Sequence, residues 1–268
     1  MITGASRVYA LLGDPVAHSL SPLMQTAAFT ALGLAAVYVP LRCSAADLPN
    51  LIGALSRAGG GGNITIPHKE AALRAVNRRS ELAQTVESCN AFWNDNGSIV
   101  GDNTDVPGIL EALHQLEVRR APWFIAGTGG GARAAVMAAR EHGVPVAVKS
   151  RTPQRQENFE RWIAARGVSL APAAECRVLI NTTPLGLGSG DPLPIEPGHW
   201  AHAEFAFDMV YAPGETSWVK AMRPRVRRAA DGRSMLVAQG AAALERWFPQ
   251  KRAPVEIMRA AVNAALRP

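Results

Sequence analysis

Trp123-Phe124-Ile125-Ala126-Gly127-Thr128-Gly129-Gly130-Gly131-Ala132 is the stretch that decides the fold. Four apolar residues in a row read as a buried strand, and they run straight into glycines with an Ala-rich segment behind them. Such a strand–turn–helix needs glycine first for the tight bend. It needs glycine again where backbone must come close to a ligand, and a small residue where helix packs on strand. Gly127, Gly129, Gly130, Gly131 and Ala132 meet those demands. The new helix would aim its unsatisfied N–H groups at the ligand, a setting suited to the pyrophosphate of a dinucleotide.

Working outward, apolar runs alternate with helix-like segments over the whole chain, which predicts an α/β protein with mainly parallel sheets. Before the glycine turn we read strands at 8–12, 37–41 and 63–66 and helices at 23–32, 47–58, 70–77 and 106–115. A hairpin is expected over 91–100, turning at Asp95-Asn96-Gly97. The glycine run 59–62 is read as a lead-in that loosens the loop before Asn63. After the turn we expect helices at 132–142 and 153–166 and strands at 144–149, 178–181, 205–209 and near Leu236. Two Ala-rich helices, 238–247 and 254–266, close the chain. A boundary near residue 104 gives a first domain over 1–104, joined by return helices 236–268, and a second, doubly wound Rossmann-type domain over 105–235.

Composition narrows the classes. With 268 residues, 48% of them hydrophobic, the chain has material for two packed domains. Apolar runs are broken well short of the roughly 20 residues needed to span a bilayer. No secretory leader is read at the N-terminus. Cys43, Cys89 and Cys176 are scattered and odd in number. They suggest neither a disulfide framework nor a metal site, and a cytoplasmic location is the default expectation. The net charge of +6 is carried largely by Arg and suits anionic small molecules. The densest basic stretch, Arg223 to Arg228, lacks interleaved aromatics and is read as a solvated helix face rather than a nucleic-acid contact.

The end of the next strand, about twenty residues beyond the glycine turn, discriminates between dinucleotides, because NAD sites place a carboxylate there for the ribose 2′-hydroxyl. This chain has Lys149-Ser150-Arg151-Thr152, with Arg155 one helical turn later. Two guanidiniums and two hydroxyls suit a 2′-phosphate, which a carboxylate would repel. NADP is therefore the expected cofactor, with Ser150, Arg151, Thr152 and Arg155 as candidate contacts.

Six segments remain: His18-Ser19-Leu20-Ser21-Pro22, Asn63-Ile64-Thr65-Ile66-Pro67-His68-Lys69, Gly101-Asp102-Asn103-Thr104-Asp105, Asn181-Thr182-Thr183-Pro184, Asp208-Met209-Val210-Tyr211 and Gln239-Gly240-Ala241. Together with the glycine turn, in this order and over nearly the whole chain, they resemble the shikimate dehydrogenase family. The resemblance implies reversible hydride transfer between NADPH and 3-dehydroshikimate to give shikimate, a step toward chorismate and the aromatic amino acids. It implies that Lys69 and Asp105 are the catalytic pair. Ser19, Ser21, Thr65, Asn90, Tyr211 and Gln239 would hold the carboxylate and hydroxyls of a small ring acid. Thr182 and Met209 would join the cofactor site, and the active site would lie in a cleft between the domains. Asp102 is an alternative carboxylate outside the matching position. Ser21 could also serve simply to start a helix.

Two departures stand out. The family reads Gly-Ala-Val-Asn-Thr where this chain has Glu87-Ser88-Cys89-Asn90-Ala91, and its Asn ahead of Arg-Thr is Ser150 here. The first keeps alternatives open: a dehydrogenase for quinate, aminoshikimate or another cyclic hydroxy acid, or a non-catalytic NADP-binding regulator of the same fold. A methyltransferase using the glycine turn is disfavoured by Ser150-Arg151-Thr152. The expected partner is a small molecule, with no nucleic acid and no membrane, for a monomer or homodimer.

Overall fold

The computed structural model describes residues 2–188 and 190–267. It is α/β throughout, as the alternation of apolar runs predicts, and the chain packs into two compact units. The first comprises Met1–Gly108 and Leu236–Ala265, the second Ile109–Met235 and Leu266–Pro268. The division at Gly108 lies inside the helix that runs without a break from Asp105 to Gln115.

In the first unit the chain runs β1 (Arg7–Gly13), α1 (Ser21–Ala31), β2 (Ala36–Arg42), α2 (Leu48–Arg57), β3 (Gly61–Ile64), α3 (Lys69–Ala75), β4 (Arg78–Arg79), α4 (Glu81–Val86), β5 (Ala91–Asp95), β6 (Ser98–Asp102) and α5 (Asp105–Gln115). Six strands form one sheet in the order β2-β1-β3-β5-β6-β4. β1 pairs parallel with both β2 and β3, so the strand order reverses there. The segments that follow β1 and β3, carrying Ser19 and Lys69, therefore leave the carboxyl ends on either side of a topological switch, where open α/β sheets bind ligands. The β5–β6 hairpin turns on Asn96 and Gly97, both at positive φ (51° and 85°), with Asp95 opposite Ser98. This is the two-residue turn that an Asn-Gly pair favours.

The glycine run is not loose. Gly61 and Gly62 are buried and form the first half of β3, between β1 and β5. A methyl group on Gly62 would lie 2.1 Å from Ala10 O, and one on Gly61 2.4 Å from Phe92 O. Only residues without a Cβ let three backbones approach this closely. The strand accordingly starts two residues earlier than its apolar character suggests and ends at Ile64. Thr65 already begins a turn, its carbonyl accepting from His68 N at 2.9 Å, and Ile66 is exposed.

The second unit continues with β7 (Trp123–Ala126), α6 (Gly130–His142), β8 (Val146–Lys149), α7 (Pro153–Ala164), β9 (Val178–Asn181), β10 (Phe205–Asp208), α8 (Ser217–Met222) and β11 (Arg228–Ala230). All five strands are parallel, ordered β11-β10-β9-β7-β8. A single parallel bridge joins Val146 to Leu170 at the free side of β8. Taken as the shortest of strands, that bridge completes the six-position order 3-2-1-4-5-6 of a dinucleotide-binding sheet. The switch point then lies between β7 and β9.

Two expectations fail here. No strand forms near Leu236, which lies inside the fifteen-residue helix α9 (Arg233–Trp247). Asp231 accepts from Arg233 N at 3.2 Å at its start, and Met, Leu, Ala, Gln and Glu carry it forward as good helix formers. The outer strand is instead Arg228–Ala230, which opens on the last residue of the basic stretch read as a helix face. α8 stops at Met222, and Arg228 pairs with Glu117 at 2.9 Å.

From Leu236 onward α9 belongs to the first unit, as does α10 (Val255–Ala265). Trp247 and Phe248 close an aromatic cluster with Tyr9, Phe29 and Tyr38, with centroids 4.8–6.4 Å apart. These large buried rings fix the returning helix on β1, α1 and β2. Gly240 lets α1 come close, since a methyl there would meet Met24 Cε at 2.3 Å. No described helix is long and apolar enough to cross a membrane.

The glycine strand yields a stability prediction. Gly62→Ala should cost about 3 kcal/mol or stop folding altogether, because the carbonyl it meets is backbone and cannot step aside. Gly4→Ala, in open space, should stay within about 0.5 kcal/mol. Urea unfolding of the two variants decides it, and equal midpoints would contradict the packing account.

Candidate active site and dinucleotide site

In the first unit, Lys69 is the opening residue of α3 and Asp105 that of α5. Lys69 Nζ donates to Asp105 Oδ2 at 2.6 Å, with 16% and 5% of the two side chains exposed. A carboxylate this buried needs partners on both oxygens. The second comes from Asn90, whose Nδ2 donates to Asp105 Oδ1 at 2.9 Å. Thr104 N donates to Asn90 Oδ1 at 2.6 Å, which sets the amide so that its NH2 faces the carboxylate. Asn63, buried in β3, donates from Nδ2 to Asn90 O at 3.0 Å and accepts from Tyr38 Oη at 2.9 Å. Burial raises the Tyr38 phenol well above its usual range, keeping it a donor.

Asp102 has other work. Its carboxylate takes the Nε of Arg246 at 2.8 Å, the Asn103 N–H at 2.8 Å and the Ser80 hydroxyl. The two carboxylates of Gly101-Asp102-Asn103-Thr104-Asp105 are thus separated by their bonding, and Lys69 joins the second. The departing residues beside Asn90 face inward: Ser88 and Cys89 are fully buried. Cys89 Sγ would lie 2.9 Å from a methyl on Gly101, and burial pushes its thiol up to about 12. Ser88 and Cys89 pack beneath Asn90, whose side chain is held by Thr104 and Asp105.

Ser21 is the first residue of α1 and is buried. It is not the cap: Leu20 holds that place, and Ser19 Oγ instead accepts the Ser21 N–H at 3.2 Å. Thr65, half-buried, follows β3 with its N–H on Leu12 O at 2.8 Å. Gln239 sits on α9, where Nε2 bonds Leu236 O at 2.9 Å. These residues, with Lys69, Asn90 and Asp105, all belong to the first unit. Tyr211 does not; it follows β10 in the second.

In the second unit Gly127 has φ +115°, and a Cβ there would lie 2.5 Å from Thr182 Oγ1. Thr182 in turn donates to Ala126 O at 2.7 Å, closing the ends of β7 and β9 together. Gly129 caps α6 with no side-chain bond and open space where a Cβ would stand. Ala132 is fully buried against the sheet, and Gly131 faces Met209, 3.3 Å from a methyl placed there. This is a cradle of free backbone N–H groups at a helix start with no acidic residue in its first turn. Beyond β8, Thr152 stands at the cap position of α7 and makes no side-chain cap bond. Arg151 and Arg155 are exposed, and among the described residues neither has an acidic partner. The donor set fits an NADP diphosphate and 2′-phosphate.

Asn181 and Asp208, to which no role is assigned from the sequence alone, organise the far side of the turn. Asn181 Nδ2 donates to Asp208 Oδ1 at 2.8 Å, and its Oδ1 accepts from Thr183 N and Oγ1 at 2.9 and 2.7 Å. Asp208 also accepts from Thr216 Oγ1 at 2.8 Å and Val210 N at 3.1 Å. The available signal was a short polar residue ending each of two wholly apolar strands. Burial dominates at Asp208 and pushes its carboxyl up to about 6, despite those donors.

The chain matches the family model described as the shikimate dehydrogenase substrate binding domain over residues 11–92. It matches the shikimate 5'-dehydrogenase C-terminal domain over 232–262. A Synechococcus protein (strain JA-3-3Ab) named shikimate dehydrogenase (NADP(+)) is 35% identical, the match covering 99% of this chain and 96% of that one. A Thermus thermophilus protein of the same name is 38% identical over 89% and 91%. The crystal structure of shikimate 5-dehydrogenase from Thermus thermophilus, in complex with NADP(H) and shikimate, superposes with a TM-score of 0.89. It is 34% identical and the match covers 97% of this chain and 100% of that one.

Asp208 supplies a pH prediction. Because its folded value lies above the unfolded one of about 3.9, the folded chain binds this proton more tightly. That stabilisation is present in full below about pH 4 and is lost as pH rises through about 6. Asp208→Asn keeps the acceptor and removes the charge. Its melting temperature should match wild type near pH 4 and exceed it at pH 7, by an amount equivalent to roughly 2 kcal/mol. A gap that does not grow with pH would contradict this.

Proposed function

The chain belongs to the shikimate dehydrogenase family, and from that premise we propose that it catalyses the reversible, NADP-dependent oxidation of shikimate to 3-dehydroshikimate. The observation that carries the reading is the Lys69–Asp105 pair, buried, bonded at 2.6 Å and held from a third side by Asn90. A binding module has no use for a proton-transfer pair. The dinucleotide, when bound, would accept a hydride as NADP+ in oxidation and supply one as NADPH in reduction. As a secondary alcohol is oxidised, its C–H leaves with both electrons as hydride and its O–H loses a proton. Lys69, steadied by Asp105, takes that proton and returns it in reduction.

On the first unit we assign Ser19, Ser21, Thr65, Asn90 and Gln239 to the carboxylate and hydroxyls of the ring acid. The N-terminus of α1 adds its dipole on the carboxylate side. Both N–H groups of Asn90 are already in use, on Thr104 Oγ1 and Asp105 Oδ1, so a ring hydroxyl takes the place of one of them. Tyr211 is assigned to the substrate by the family pattern alone. For the cofactor we assign Gly127, Gly129, Gly130, Gly131, Ala132, Thr182 and Met209 to the turn that receives the diphosphate. Ser150, Arg151, Thr152 and Arg155 are assigned to the 2′-phosphate. The first unit is then the substrate domain and the second the NADP domain of a cytoplasmic enzyme that works on small molecules alone.

Initial rates of pyridine-nucleotide reduction test the proposal. Turnover should be fast with NADP and shikimate and slow when NAD or quinate replaces either. Arg151→Ala should raise KM for NADP about tenfold while leaving KM for NAD unchanged, since one charged hydrogen bond is lost. Faster turnover of quinate, or equal use of NAD, would contradict the assignment.

A further inference from the structure

Asp102 lies three residues before the proposed catalytic carboxylate, yet the chemistry above gives it no part. Its side chain is 6% exposed and its bonds form a closed ring. Asp102 O accepts from Asn90 N at 3.0 Å, and Asn90 Nδ2 donates to Asp105 Oδ1 at 2.9 Å. Asp105 N donates to Asn103 Oδ1 at 3.0 Å, and Asn103 N donates to Asp102 Oδ1 at 2.8 Å. Two residues of the ring are Lys69's partner, Asp105, and the Asn90 that holds it; the other two fix where they stand. Asn103 is pinned further by Ser88 O at 2.9 Å, and Ser80, which caps α4, donates its hydroxyl to Asp102.

The only formal charge bonded to Asp102 among the described residues is Arg246, at 2.8 Å on Oδ2. Arg246 comes from α9, seven residues beyond Gln239. Seven residues are two turns, so both side chains stand on one face of that helix.

We propose that Arg246, acting through Asp102, is a positioning residue for the Lys69–Asp105 pair. This rests on the reading of that pair as the proton-transfer groups. With the guanidinium in place, Asp102 stays oriented, holding the Asn103 N–H and thus the first turn of α5. Without it, a nearly buried carboxylate has lost its counter-charge. It then swings toward water, releases Asn103 and lets Asp105 drift. Small displacements at a proton-transfer pair are costly in rate, whereas dinucleotide binding has no stake in this ring.

The test is a cycle of full-length variants assayed for NADP reduction at saturating shikimate, with circular dichroism and melting temperature measured on each. Arg246→Gln and Asp102→Asn should each lower kcat about tenfold with KM for NADP unchanged. Arg246→Lys, which keeps the charge, should retain most of the wild-type kcat. The double variant, in which two amides can bond each other, should recover most of what either single change loses. A merely structural ion pair would lower the melting temperature and leave kcat of the folded variants intact, which overturns the proposal. Additive losses in the double variant overturn it as well. Wild-type protein inactive on shikimate, or an active Asp105→Asn, would instead sink the reading of the pair, and this proposal with it.

Discussion

Asp105 is a carboxylate taken almost entirely out of water, and its burial is tolerable only because Lys69 and Asn90 each bond one oxygen. Those three residues come from the start of α3, the chain entering β5 and the start of α5. Bringing them together requires β3, β5 and β6 to be neighbours, with β5 antiparallel to both. That in turn requires the backbone of β3 to lie hard against its neighbours, which Gly61 and Gly62 permit. A strand of glycines and a buried ion pair are therefore two ends of one constraint. The core cluster around Leu12, Ile52, Ile64 and Phe92 provides the rigid floor beneath them.

The second unit solves a different problem, presenting backbone rather than side chains. Its turn works by what is missing: no Cβ at Gly127, no cap side chain at Gly129, no acid in the first turn of α6, no carboxylate at the end of β8. What is present lies beneath. Thr182, Asn181 and Asp208 tie the ends of β7, β9 and β10 to one another, so that the open turn sits on a fixed edge. The Phe124, Leu179 and Trp218 cluster packs below that edge.

Features set by local chemistry were legible in the sequence. Asn96-Gly97 gave the hairpin, and the glycines after Trp123–Ala126 gave the tight turn into α6. Features set by neighbours were not. Gly61-Gly62 looks like a loop unless β1 and β5 are known to flank it. The basic stretch 223–228 looks like a solvated helix face until β10 offers Arg228 an edge, and the same absence of context left Leu236 misread as a strand. At the site, residue identities were legible but bonding was not. Asp102 and Asp105 are alike in one dimension, and only the positions of Arg246 and Lys69 divide their work. Ser21 does not cap α1 because Leu20 ends the non-helical chain, and the Ser21 N–H is taken by Ser19 Oγ.

Every role proposed for the site depends on Lys69 as the group that exchanges the substrate's proton. Turnover of Lys69→Ala, measured beside its affinity for NADPH and its circular dichroism, addresses this directly. The predicted result is a folded protein that binds NADPH as wild type does and oxidises shikimate about 100-fold more slowly or worse. A folded Lys69→Ala with near-normal turnover would remove Lys69 from the chemistry and contradict that role.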